Sequence, residues 1–226
     1  MKALPSTIEG VLFDLDGTLL DSAPDLHAAL QRQCEEEGMP VPPYATVREV
    51  VSRGGRAVLR CAFGQLGEDA VEARVDRFLA LYEAMMGEAT RAFEGVDGLL
   101  AQLEEQGVRW GIVTNKPGFL TDELLRRIGW AGRPAAVVSG DTLAVKKPDP
   151  APVRLACTRA GIDPTRSLFV GDDRRDIVAG AAAGLYTVAA SWGYLDGGDP
   201  REWKADAVLD SPAQFAQWLR HGQAVA

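Results

Sequence analysis

Three short apolar runs in this chain each end abruptly in residues that can do chemistry. Val11-Leu12-Phe13 runs into Asp14, Asp16, Gly17 and Thr18. The run in VRWGIVTNKP closes on Thr114, Asn115 and Lys116, and the run in SLFVGDDRRDI closes on Gly171, Asp172 and Asp173, with Asp176 following. A fourth cluster, Lys146 and Lys147, stands just before a proline. Strands buried on both faces read as near-continuous apolar runs, and open parallel sheets bind ligands outside the carboxyl ends of their strands. The pattern therefore predicts an α/β fold whose strand ends converge on one site of acids, a hydroxyl, an amide and a lysine. Asp14 and Asp16 stand two residues apart, a spacing that puts side chains on one face of a strand.

Periodicity divides the chain. From residue 94 onward helical and extended patterns alternate, from LLAQLEEQG and RWGIVTN through SLFVGD and RDIVAGAAAG to LYTVAAS, DAVLD and PAQFAQWLRHG. Such alternation implies a parallel sheet covered on both faces. Between residue 21 and about residue 90 only helical patterns occur. DSAPDLHAALQRQCEEEG predicts a helix capped by Asp21 or Ser22 and stopped by Gly38. EDAVEARVDRFLALYEAMM predicts one long amphipathic helix, with Val71, Val75, Phe78, Leu79 and Tyr82 on its apolar face. Between them, Ser52-Arg53-Gly54-Gly55-Arg56 marks a break between two helices. The expected organisation is a core from residues 1–20 and 93–226, with residues 21–92 inserted as a helical unit. The hinges fall near Leu19–Pro24 and Arg91–Gly98.

Composition narrows the function classes. With 24 Lys+Arg against 32 Asp+Glu the formal charge is −8, and no basic cluster exceeds a pair, which argues against nucleic acid. No run approaches the ~18 apolar residues of a membrane-spanning helix, and the N-terminus lacks a signal-peptide core, so a cytoplasmic protein is expected. Cys34, Cys61 and Cys157 fit no metal spacing, and they read as reduced thiols in helices. His27 and His221 form no ligand pattern either.

The ordered set DLDGT, VTN, KKPDP and GDDRRD resembles the four motifs of the haloacid dehalogenase superfamily, across nearly the whole chain. LLDSAPDL, FEGVDGLLAQLEEQG, GIVTNKP and SWGYL are similar to its phosphoglycolate phosphatase group. VVSRGGRAV, RWGIVTNKP, VGDDRRDI and REWKADAVLDSP also resemble N-acetylmuramic acid 6-phosphate phosphatases. The resemblance implies a Rossmann-like α/β core with a small α-helical cap, and hydrolysis of a phosphomonoester through an aspartyl-phosphate. It implies Asp14 as nucleophile and Asp16 as general acid, with Thr114 and Asn115 on the phosphoryl oxygens, Lys147 neutralising them and Thr18 bracing the loop. Mg2+ would be held by Asp14, the main-chain carbonyl of Asp16 and Asp172, with Asp173 and Asp176 ligating it or holding its waters. The group often has Ser or Thr where Asp173 stands, and the blander reading of Asp173 and Asp176 is charge at a helix N-terminus.

Specificity is expected from Arg53, Gly54, Gly55 and Arg56, where an arginine could hold a carboxylate in bidentate fashion; the plainer reading is a helix–helix turn with surface arginines. The expected partner is a small phosphorylated metabolite, not a membrane or nucleic acid, and the expected state is monomer or homodimer. Two further classes share these motifs: a sugar phosphomutase, and a non-catalytic phosphate-binding regulator.

Overall fold

The computed structural model describes residues 2–222. In chain order the elements are β1 (Gly10–Phe13), β2 (Leu20–Asp21), α1 (Ala23–Glu37), α2 (Tyr44–Arg48), α3 (Gly55–Phe63), α4 (Glu68–Glu72), α5 (Val75–Met85), β3 (Arg91–Ala92), α6 (Val96–Glu105), β4 (Arg109–Val113), α7 (Gly118–Arg127), β5 (Ala136–Val138), α8 (Ala151–Ala160), β6 (Ser167–Gly171), α9 (Arg174–Ala183), β7 (Tyr186–Ala190), β8 (Ala207–Leu209) and α10 (Pro212–Gly222). Single 3-10 turns add Val51–Arg53 and Leu195–Gly197.

The apolar runs become the strands of one parallel sheet, ordered β5-β4-β1-β6-β7-β8. Side chains alternate across it. Val11 and Phe13 join the core beneath α6, α7 and α10, which includes Leu99, Leu124 and Phe215. Leu12 faces the other way, among Val153, Ala156 and Ala179 of α8 and α9. The chain leaves β1 for β4 and β5 on one side, then returns to β6, β7 and β8 on the other. That reversal makes a switch point, and a crevice, at the end of β1. Register keeps the strand ends level, with Phe13 beside both Ile112 and Val170. The N–H of Asp14 donates to Val170 and that of Thr114 to Val138, each at 2.9 Å. The polar residues after each run therefore emerge at one edge.

Helices α1–α5 lie between β2 and β3, which pair antiparallel as Leu20 with Ala92 and Asp21 with Arg91. These two-residue strands are too short to leave a periodic signal. The expected long helix over residues 68–86 is two, α4 and α5, separated at Ala73 and Arg74. Contacts from α1 hold the break: the Gln33 amide donates to the Arg74 carbonyl at 3.3 Å, and the Arg74 guanidinium donates to Glu37. Cys34 and Cys157 are buried, Cys61 is half-buried, and all three are free thiols. No described helix is long and apolar enough to cross a membrane.

Candidate active site

Asp14 stands directly beyond β1 with its side chain 14% exposed. Lys147, held in the loop before α8, brings its ammonium 2.7 Å from Asp14 Oδ1, 2.7 Å from Asp176 Oδ1 and 2.6 Å from the Val113 carbonyl. An ammonium has three donors, so all are taken. Burial works against this charge, but Asp14 and Asp176 more than offset it and hold the ammonium above its ordinary value. Asp172 completes the floor, wholly buried, accepting from the Thr18 hydroxyl at 2.7 Å and the Tyr194 N–H at 2.9 Å. Carboxylate oxygens of Asp14, Asp172 and Asp176 all lie within 4.8 Å of one another. Burial raises all three; Asp172 is pushed up to about 7, with Asp14 as the second cause, while Lys147 partly offsets the rise at Asp14 and Asp176.

The backbone around Asp172 approaches closely. Gly17 has φ +93°, and a Cβ there would fall 2.1 Å from Asp172 Oδ2. A Cβ on Gly193 would meet the Asp172 Cβ at 2.2 Å and the Gly17 carbonyl at 2.4 Å. Neither position has room for a side chain.

Above this floor is a cavity of about 330 Å³, within the range of small-molecule sites. Asp14, Asp16, Thr114, Asn115, Lys147, Asp173 and Asp176 line its sheet side, and Arg53, Gly54, Gly55 and Arg56 its helical side. Thr18 is not among the lining residues; it is fully buried against Asp172. Both ends of the Asn115 amide are taken by the main chain of Lys147, each at 3.0 Å, so this side chain fixes the lysine loop. Asp173 caps α9 and grips Arg175 at 2.7 and 2.9 Å. Its carboxyl sits below the ordinary range because Arg175 outweighs burial. Arg53 pairs with Asp196 at 2.5 Å, and Arg56 grips Glu72 in bidentate fashion at 2.7 and 2.6 Å.

The haloacid dehalogenase-like hydrolase family matches residues 11–190. This chain belongs to it. Among relatives of this hydrolase, a phosphoglycolate phosphatase of Xanthomonas campestris is 49% identical over 206 residues, 91% of this chain and 93% of the other. An N-acetylmuramic acid 6-phosphate phosphatase of Pseudomonas aeruginosa is 43% identical over 214 residues, 94% and 95% of the two chains. A solved structure from Haemophilus somnus, described as a predicted phosphoglycolate phosphatase, superposes with a TM-score of 0.84 at 27% identity, covering 94% of this chain and 98% of that one.

The donor set of this haloacid dehalogenase-like hydrolase fits a hard divalent cation. Three clustered carboxylates have one lysine among them, paired with Asp14 and Asp176 and not with Asp172, and burial disfavours the charge of all three. An all-oxygen set suits magnesium rather than a softer metal.

Several residues of the site escape a reading of the sequence alone. Lys116 presents its ammonium to both Asp16 oxygens, at 3.1 and 3.3 Å, and to the Tyr82 hydroxyl at 2.7 Å. Ser22, expected as a helix cap, instead donates its hydroxyl to Asp16 at 2.5 Å and leaves α1 without a side-chain cap. The hydroxyl of Tyr194 takes that place, accepting the N–H groups of Ser22 and Ala23 at 2.7 and 2.9 Å. Arg175 donates to the Ser52 carbonyl at 2.7 Å. The only signal for Lys116 was its place directly after Thr114-Asn115; the others depend on contacts across the fold.

Proposed function

We propose that this phosphoric monoester hydrolase is a magnesium-dependent phosphatase of a small carboxylate-bearing phosphomonoester, of the 2-phosphoglycolate type. The carrying observation is Asp14, paired with Lys147 at 2.7 Å on the cavity floor, with Asp16 two residues on and the Asp172–Asp176 cluster beside it. Asp14, Asp172 and Asp176, joined by the main-chain carbonyl of Asp16, would hold the metal. When bound there, magnesium neutralises phosphoryl oxygens and orients the ester.

In the first step Asp14 attacks phosphorus. The bond from phosphorus to the ester oxygen breaks, and Asp16 gives its proton to the leaving alcohol. In the second step water attacks the aspartyl-phosphate. Asp16 takes the water's proton, the bond from phosphorus to Asp14 breaks, and inorganic phosphate leaves. Lys147 offsets charge on the phosphoryl oxygens throughout, and Thr114, 4% exposed beside Asn115, lies at the strand end that receives them. Asn115 contributes by fixing the Lys147 loop, and Thr18 by holding Asp172. In this reading Asp173 acts through Arg175, holding the α9 N-terminus and not the metal. Residues 21–92 form the cap, closing over a core of residues 1–20 and 93–226, and the enzyme works in the cytoplasm.

The amino-sugar phosphate reading draws support from the 43% identical relative and from the arginine-lined helical wall of the cavity. The test is phosphate release from 2-phosphoglycolate and from N-acetylmuramic acid 6-phosphate, with magnesium or a chelator. The expected result is magnesium-dependent release that favours 2-phosphoglycolate, and a loss of about 10³-fold or more in Asp14→Asn. An Asp14→Asn enzyme with full turnover sinks the mechanism; a strong preference for the amino sugar replaces the substrate.

A further inference from the structure

We propose that Lys116 is the specificity residue of this site, receiving a carboxylate carried on the same carbon as the ester oxygen. The inference rests on the phosphatase reading above and names what that reading leaves open, the part of the leaving group that is recognised.

Position comes first. Phosphorus is fixed by Asp14, and the ester oxygen by Asp16, which must come within hydrogen-bond reach to protonate it. Lys116 lines the same cavity, and its ammonium is 3.1 Å from Asp16. It is therefore the next charged group outward from the ester oxygen. A carboxylate on the carbon that bears that oxygen has its own oxygens three bonds away, the reach that this spacing offers. Of the other cavity cations, Lys146 is exposed to solvent and the rest are engaged elsewhere. Lys147 is held by Asp14, Asp176 and Val113, Arg56 by Glu72, Arg53 by Asp196, and Arg175 by Asp173 and Ser52.

Charge comes second. The Lys116 side chain is 7% exposed, and one of its two partners, Tyr82, is neutral. Among the described residues its one counter-ion is Asp16. An ammonium has three donors, so a substrate carboxylate beside Asp16 gives this little-exposed cation a second anion in place of water. A carboxylate remote from the ester oxygen, as on the lactyl arm of a muramic acid 6-phosphate, gains nothing from this residue.

The experiment compares kcat and KM of the magnesium-loaded enzyme for 2-phosphoglycolate and for ethyl phosphate, which replaces the carboxylate by a methyl group. Wild-type enzyme is expected to favour 2-phosphoglycolate in kcat/KM by about 10–100-fold, the value of a charge-assisted hydrogen bond. Lys116→Met is expected to collapse that ratio, and Lys116→Arg to retain much of it. Equal wild-type rates on the two esters overturn the inference and leave the phosphatase reading standing, with no need for a folded variant. So does a preference that survives Lys116→Met, since a residue that only positions Asp16 would slow both esters alike. Turnover confined to esters with a remote carboxylate overturns it too. A wild-type enzyme that hydrolyses no phosphoester overturns the phosphatase reading and this inference with it.

Discussion

Among the described residues Lys147 is the only cation in contact with the carboxylates of the cavity floor, through Asp14 and Asp176, and its removal tests how that floor is balanced. Taking one partner from a buried ion pair costs about 3–5 kcal/mol, because the other charge is left without compensation. Lys147→Met is therefore expected to melt well below wild type when free of metal, and magnesium should recover more stability in the variant than in wild type. Asp172→Asn acts in the opposite sense. Burial already disfavours the charge of this carboxyl, so an amide leaves the metal-free melting temperature unchanged or higher, while the rise on adding magnesium shrinks. Thermal unfolding with and without magnesium checks both; a full magnesium response in Asp172→Asn removes that residue from the metal site. At this scale the sequence announced Asp14, Asp16 and Asp172 as candidates because each sits where an apolar run stops, and Lys147 through the KKPDP phrase. It put Lys116 at a strand end but could not announce its partners, nor the orientation of Asp173. Residue type names a charge, but its use is set by partners such as Tyr82 and Arg175, which only the fold brings near.

The start of α1 shows how an element borrows its cap from afar. With Ser22 turned to Asp16, the first N–H groups depend on the Tyr194 hydroxyl, 172 residues away, which also donates to Asp21 at 2.8 Å. Tyr194→Phe leaves those buried donors without a partner, a loss of about 1–3 kcal/mol. A lower melting temperature is expected, and an unchanged one would mean that water replaces the hydroxyl. A second element-scale contact joins β7 to the segment before β8. Asp206, 8% exposed, accepts from the Thr187 N–H at 3.0 Å and the Lys2 N–H at 2.6 Å. Burial opposes its charge, but these hydrogen bonds win and hold the carboxyl below its ordinary value. A carboxyl depressed in the folded state stabilises the protein above its unfolded pKa, and that contribution is lost as pH falls through the folded value. The stability gap between wild type and Asp206→Asn should therefore be full near neutral pH and close below about pH 4. A gap that stays constant in acid would show that Asp206 acts by packing alone. The strands of the parallel sheet were legible as apolar runs, whereas β2 and β3 were not. The break between α4 and α5 was not, since Val71 and Val75 keep helical spacing across it and its cause lies in α1.

At the scale of the whole molecule, two polar contacts tie the turn Val51–Arg53 to the sheet side of the cavity. Arg53 pairs with Asp196, and Arg175 donates to the Ser52 carbonyl. If residues 21–92 move as a cap about the short β2–β3 ribbon, these contacts exist only when it is closed. The switch from helical to alternating pattern made the ends of that segment visible in the sequence. The contacts were invisible there, because Arg53 and Asp196 lie 143 positions apart on separate surface turns. Their side chains are 56% and 27% exposed, so the pair contributes roughly 0–1 kcal/mol and says little about global stability. A free energy of that size still biases a two-state cap by about two- to fivefold. Asp196→Ala is accordingly expected to leave the melting temperature nearly unchanged and to raise KM about two- to fivefold. Its kcat should be equal or higher, since opening limits product release in many lidded enzymes. Salt separates this from a local effect on the turn. Screening weakens an exposed pair, so the wild-type KM should climb toward the variant's as ionic strength rises, while the variant's stays flatter. Parallel salt profiles for the two enzymes would mean that the pair does not report on closure, and that the cap is held by its buried contacts, Lys116 to Tyr82 among them.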